Sequence, residues 1–136
     1  MKPWEARLQV TSRLDQVILL ALAVRVWGQH AGLSHRQLQR LETCTVEAVN
    51  NAILHAYNRR EAEPVEVTVQ YRPGALTVRV RDQGQALDNL AVPVAAPPID
   101  AESGRGWWII HQWMDDVQYQ STVEGNTLSM TLRLSG

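Results

Sequence analysis

The sequence predicts an α/β two-layer sandwich of the α+β kind, a mixed but mostly antiparallel sheet with helices on one face. Three observations carry this expectation. Residues 65–72 and 76–81 alternate apolar and polar side chains about a Pro73-Gly74 turn, the pattern of a half-buried hairpin. Ahead of them, residues 13–57 carry apolar side chains at three- and four-residue spacing, which marks helices that bury one face. No repeat, low-complexity tract or shift of composition divides the 136 residues, of which 45% are hydrophobic and 20% charged. One domain covering residues 1–136 is therefore expected.

In chain order, a short strand is expected around residues 7–10. Ser12 then precedes Arg13 and Leu14 as a helix cap, with Val17, Ile18, Leu22 and Val26 as the recurring apolar row and an end between Gly28 and Gly32. Ser34 is a second cap, opening a helix over residues 35–57 whose buried face is Leu38, Leu41, Thr45, Ala48 and Ala52. After Pro64 the period changes to two. Val65, Val67, Val69 and Tyr71 point inward on one strand, and Leu76, Val78 and Val80 on its partner. From residue 83 to 105 periodicity fails. Pro93, Pro97 and Pro98 limit conformations there without building a regular element, so a functional loop is expected. A helix over residues 105–114 follows, with Trp108 and Met114 as core candidates. A strand near residues 117–121, a turn at Glu124-Gly125 and a last strand with Leu128, Met130, Leu132 and Leu134 inward complete the chain.

Composition excludes several functions. A formal net charge of -1 supplies no basic field for nucleic acid or an anionic membrane, so no direct nucleic-acid binding is expected. Cys44 is the only cysteine, which leaves no disulfide framework and no multi-cysteine zinc site. The N-terminus lacks the layout of a signal peptide, and the apolar run from Val17 to Val26, with Arg25 inside it, is too short to span a bilayer. A cytoplasmic protein with no membrane contact is the expectation. His30, His35, His55 and His111 show no zinc-ligand spacing and no nucleophile elbow, and no Gly-x-x-x-x-Gly-Lys-Ser/Thr segment exists, so zinc, triad and P-loop chemistries are set aside.

Three places carry residues suited to chemistry. Glu47 and Asn51 are four apart on the second helix and share a face at the edge of its apolar row. A carboxylate there can orient or deprotonate a hydroxyl, and an amide oxygen is a suitable ligand for Mg²⁺. Asp82 continues the inward row of Leu76, Val78 and Val80, where a buried carboxylate needs hydrogen-bond partners or a ligand such as an adenine amino group. Gly84 follows and permits a close backbone approach. Ser103-Gly104-Arg105-Gly106 opens a helix, where backbone N–H groups and the helix dipole favour phosphate. Taken singly, each has an ordinary reading too: a solvated helix face, an Asp-x-Gly turn, a hinge.

Their order is more specific. An acidic-plus-Asn helix, a strand ending in Asp-x-Gly, a loop and a Gly-x-Gly helix start together resemble the GHKL ATPases. The stretch Glu47-Ala48-Val49-Asn50-Asn51-Ala52-Ile53-Leu54-His55-Ala56-Tyr57 resembles the N box of the RsbW-like anti-sigma factor serine-protein kinases. Ser103-Gly104-Arg105-Gly106-Trp107-Trp108-Ile109-Ile110, with Met114-Asp115-Asp116-Val117, resembles their second glycine box and its trailing segment. The resemblance spans nearly the whole chain after the first helix.

It implies a Bergerat-type ATP-binding fold. It further implies Glu47 as general base, Asn51 as ligand of Mg²⁺, Asp82 as reader of adenine, and Gly104 and Gly106 against the phosphates. The same boxes add His55, Gly84, Ala86, Arg105, Asn126 and Thr127 as nucleotide contacts. Two positions depart from the family pattern: Ala86 stands where many relatives have a second glycine, and Asn126 where a threonine commonly helps Asp hold adenine. The activity implied is transfer of the ATP γ-phosphoryl group to a serine of a STAS-type anti-anti-sigma protein, with a sigma factor as a second candidate partner and a homodimer as a candidate assembly. Residues 88–103 are expected to act as a lid over the phosphates, although this loop lacks the basic residues some relatives bring there. The alternative is a regulatory module that binds nucleotide and sequesters a partner without phosphotransfer. A sensor histidine kinase domain is disfavoured, because no dimerisation helix with a phospho-acceptor histidine and no membrane segment fits.

Overall fold

The computed structural model describes residues 1–87 and 105–134. Strand β1 (Trp4–Thr11) leads through one 3-10 turn (Leu14–Gln16) into helix α1 (Val17–His30). Helix α2 (His35–Asn51) runs into a single π turn (Ala52–Ala56), and the hairpin β2 (Pro64–Arg72) and β3 (Ala75–Asp82) follows. Helix α3 (Arg105–Trp113) and a second hairpin, β4 (Asp116–Thr122) and β5 (Gly125–Arg133), complete the fold. The proposed lid, residues 88–103, and Gly104 lie outside the described residues.

The sheet order is β1-β2-β3-β5-β4, and every pairing among the described residues is antiparallel. Register puts Leu8, Val67, Val80, Leu128 and Tyr119 in one row across the helix-facing side. Helices α1, α2 and α3 cover that side, with α2 touching both of the others. The expected two layers are present, and the inward rows expected for β2, β3 and β5 are buried or partly buried. Thr68 and Thr77, on the outer side, are also nearly covered, and Thr77 pairs with Thr131 Oγ1 at 3.0 Å.

Helix α2 starts as its sequence predicts. The Ser34 hydroxyl accepts from Gln37 N and the Gln37 side chain accepts from Ser34 N, a reciprocal cap that satisfies two otherwise orphaned donors. Leu38, Leu41, Thr45, Ala48 and Ala52 are all buried. The first helix differs from expectation. Ser12 caps nothing; its hydroxyl donates to the Arg60 carbonyl and accepts from Glu63 N, tying β1 to the turn after α2. The buried row of α1 is Val17, Leu20, Ala21, Val24 and Gly28. Ile18, Leu22 and Val26 are 58%, 52% and 60% exposed, and Leu14 and Leu19 join them on the open side. Every residue from Val17 to Val24 is apolar, so periodicity alone does not choose the face. In α3 the core member is Trp107 rather than Trp108, with Ile110 and Met114.

Candidate functional site

Helix α2 lines up the side chains that matter. Glu47 and Asn51 are half-buried one turn apart, and neither side chain makes a hydrogen bond to the described residues. Glu47 lies against the first turn of α3: a methyl group added to Gly106 would overlap Glu47 Oε2 and come within 2.8 Å of its Cδ. The missing side chain at Gly106 is what admits the carboxylate. Burial raises the Glu47 pKa above the usual carboxylate range. The neighbouring Cys44 thiol is pushed up to about 12 by burial first and the Glu47 charge second, so it is an inert core group.

Asp82 ends β3 on the buried side. Its Oδ1 accepts from Gly84 N at 2.9 Å and from Asn126 Nδ2 at 2.7 Å. Its Oδ2 accepts nothing from the described residues. Burial raises its pKa, and the bonds from Asn126 and Gly84 oppose the shift. Asn126, opposite Asp82 in the β3–β5 register, also donates to the Gly84 and Gln85 carbonyls at 3.0 and 3.2 Å and accepts from Ser121 Oγ at 2.7 Å. It therefore holds both the carboxylate and the turn after it. It does so with two donor hydrogens and an acceptor.

The Asp-x-Gly turn is also fixed to the end of α2. Gln85 N donates to the Ala56 carbonyl at 2.9 Å, and Gln85 Nε2 to the His55 carbonyl at 3.1 Å. A methyl group at Gly84 would overlap the Ala56 carbonyl oxygen and sit 2.5 Å from its carbon. The close approach that requires glycine is thus to the end of α2. Leu87 N donates to Tyr119 Oη at 2.9 Å, which fixes the chain as it leaves the turn.

The structure brings Glu47 to Gly106, Asp82 to Gly84 and Asn126, and both groups to one helix, with Asn51 between them. The His55 side chain is exposed on the same helix, and Ala86 and Arg105 are exposed at either edge of the described residues. Thr127 does not join them: strand alternation puts it with Arg81 on the outer side of the sheet, away from Asn126. Sequence reasoning missed Tyr57, which is fully buried and whose hydroxyl lies 2.6 Å from both Gln83 N and the Pro64 carbonyl. Among the described residues no three acidic, histidine or cysteine side chains converge on a metal position, and no helix is long and apolar enough to cross a membrane.

With this geometry in view, the histidine kinase-like ATPase domain family matches residues 10–132. An anti-sigma F factor of Priestia megaterium is 33% identical over 105 residues, 73% of this chain and 71% of the relative. One from Geobacillus thermodenitrificans is 28% identical over 127 residues, 90% and 87% of the two chains. Among solved structures, the RsbU and RsbW domains of a Mycobacterium tuberculosis protein align with a TM-score of 0.71 at 16% identity over 96% of this chain. The chain spans 32% of that protein's length, and at this identity the likeness shows the fold alone.

Proposed function

The chain belongs to the histidine kinase-like ATPase domain family, among the GHKL-type, RsbW-like anti-sigma factor kinases, and we propose that it is an ATP-dependent serine-protein kinase. Its acceptor would be a STAS-type anti-anti-sigma protein, and phosphorylation would control which partner, including a sigma factor, is available. The anti-sigma names of its relatives support the partner class. The observation that carries the reading is the spacing of uncommitted polar groups along one helix. From Glu47, beside α3, to Ala56, beside the Asp82 turn, is nine residues, roughly 13 Å of helix. An adenine amino group at Asp82 Oδ2 and a terminal phosphate near Gly106 fall at opposite ends of that span.

The residues fit the implied groups. Asp82 has one carboxylate oxygen held and one without a donor among the described residues, as a hydrogen bond from adenine requires. Asn51 offers to a metal an amide that has no partner among the described residues, and with no acidic cluster among them either the remaining ligands would come from phosphates and water. Bound Mg²⁺ would neutralise charge on the triphosphate. Glu47, whose basicity burial raises, is suited to accept the proton of a serine hydroxyl brought to the α3 N-terminus. Incubation with ATP labelled at the γ-position and STAS-domain proteins tests the assignment. Label on a partner serine supports it; ATP-dependent complex formation without label favours the sequestering module instead.

The reading includes a homodimer. The open side of α1, with Leu14, Ile18, Leu19, Leu22 and Val26, is the apolar surface on offer for it, since a contiguous apolar row on a small domain marks a contact surface.

A further inference from the structure

We propose that the buried Tyr57 hydroxyl is a positioning group of the nucleotide site: it fixes the backbone where β3 ends and so aims the uncommitted oxygen of Asp82. The proposal rests on the reading of Asp82 as the acceptor of an adenine amino hydrogen. It begins in the helix. The row Leu38, Leu41, Thr45, Ala48, Ala52, continued at α spacing, would bury residues 55 and 56. Instead Tyr57 N bonds to the Ala52 carbonyl at 2.9 Å, five residues back, and the widened turn moves the buried side by one residue. His55 turns outward, and Ala56 and Tyr57 turn in. Single π turns of this kind occur frequently at functional sites.

The Tyr57 ring is wholly covered. Its hydroxyl donates to the Pro64 carbonyl, which opens β2, and accepts from Gln83 N, the first amide after Asp82, each at 2.6 Å. One oxygen therefore joins the end of α2, the start of β2 and the exit of β3. The other bonds of the turn lie further on: Gly84 N to Asp82 Oδ1, Gln85 N to the Ala56 carbonyl, and Asn126 to the Gly84 and Gln85 carbonyls. Asp82 is paired with Asn126 at the end of the β3–β5 ladder, which holds the carbonyl side of the peptide between Asp82 and Gln83, and none of the turn's bonds reaches the N–H of that peptide. That peptide sets the direction in which the Asp82 side chain leaves the backbone, and only Tyr57 grips its N–H. Without the hydroxyl the turn stays docked through Gln85 and Asn126 and Oδ1 keeps its two donors, while the backbone after Asp82 loses the bond at Gln83 N that fixes it and the aim of the second oxygen loosens.

Binding of ATP and inosine triphosphate, which differs at the base by carrying a carbonyl in place of the amino group, tests this in the parent, Tyr57→Phe and Asp82→Asn. The parent should prefer ATP, and Asp82→Asn should lose the preference. Tyr57→Phe should bind ATP about tenfold more weakly with inosine triphosphate nearly unchanged, so that selectivity falls while far-UV circular dichroism is retained. A merely structural tyrosine would weaken both nucleotides alike. If Asp82→Asn loses selectivity and Tyr57→Phe keeps it, the proposal is overturned and the Asp82 reading stands. A parent without preference overturns both. Independently of any variant, the Gln83 amide of the nucleotide-free parent should exchange slowly with deuterium, and fast exchange there contradicts the grip on which the proposal depends.

Discussion

The contact between Gly106 and Glu47 permits a substitution that moves a side chain without removing it. In Gly106→Ala the new methyl overlaps Glu47 Oε2 and lies 2.8 Å from Glu47 Cδ and 3.3 Å from its Cβ. Carbon atoms prefer roughly 3.5–4.0 Å, so the carboxylate must retreat by about 1 Å. The stability terms oppose each other. Alanine gains about 0.8–1 kcal/mol of helix propensity over glycine, and an off-rotamer Glu47 costs about 0.5–1.5 kcal/mol. The melting temperature should therefore move by no more than roughly 3–5 °C. Transfer should not be spared, because a 1 Å misplacement can cost about 10²-fold in rate. The assay is single-turnover transfer of labelled γ-phosphoryl to a STAS-type acceptor, in the parent, Gly106→Ala, Glu47→Gln and the double variant. If the alanine acts through Glu47, the double variant should be no slower than Glu47→Gln alone. Losses that multiply would refute the reasoning, since they would mean that Gly106 serves the phosphates by a route independent of Glu47.

The two polar side chains of α2 should fail differently: Glu47→Gln should keep nucleotide affinity and lose transfer, whereas Asn51→Ala should lose Mg²⁺-dependent affinity too, as calorimetry with and without Mg²⁺ will read. Leu22→Asp, on the open side of α1, should convert a dimer to monomer in sedimentation without changing the fold, and an unchanged mass would remove α1 from the interface. Burial raises the Glu47 pKa in the folded chain, so its stabilising contribution is present below the unfolded pKa of about 4.3 and is lost as pH rises through the folded value. Urea unfolding should accordingly show Glu47→Gln gaining on the parent as pH rises above the unfolded value; a difference that stays constant with rising pH would contradict it.

The strands were legible because a sheet with one covered side writes its register into the sequence as strict alternation. Val65 to Tyr71 and Leu128 to Leu132 leave no second choice of face, and Asp82 stood out because it broke that alternation. Helix α2 was legible for the related reason that polar residues fill its outer side. Helix α1 was not. With apolar residues all round from Val17 to Val24, the three-and-four spacing fits two faces equally, and the contacts with α2 and the sheet select Leu20, Ala21 and Val24. What a partner subunit would cover is written in the same letters as what the core covers, and the sequence of one chain does not distinguish them.

The site divides along a similar line. Glu47, Asn51, Asp82 and the glycines were visible through their order along the chain, since each taken singly has an ordinary reading and only Asp82 breaks its local pattern. Tyr57 was invisible because an aromatic side chain at the end of an amphipathic helix is unremarkable; only the π turn, which no spacing rule anticipates, brings its hydroxyl to Gln83. Asn126 was expected to substitute for threonine at one contact, yet it makes three to the turn and one to Ser121. Thr127 was expected beside it, and strand alternation sends it to the other side. Residues chosen for what they touch in a ligand declare themselves by type, whereas residues that hold those in place use ordinary types at positions set by the local backbone. The sequence of this chain therefore reveals its candidate chemistry more fully than the support that aims it, and Gly84 belongs to both: read as room for a ring, it is first the room that lets the Asp82 turn close on Ala56.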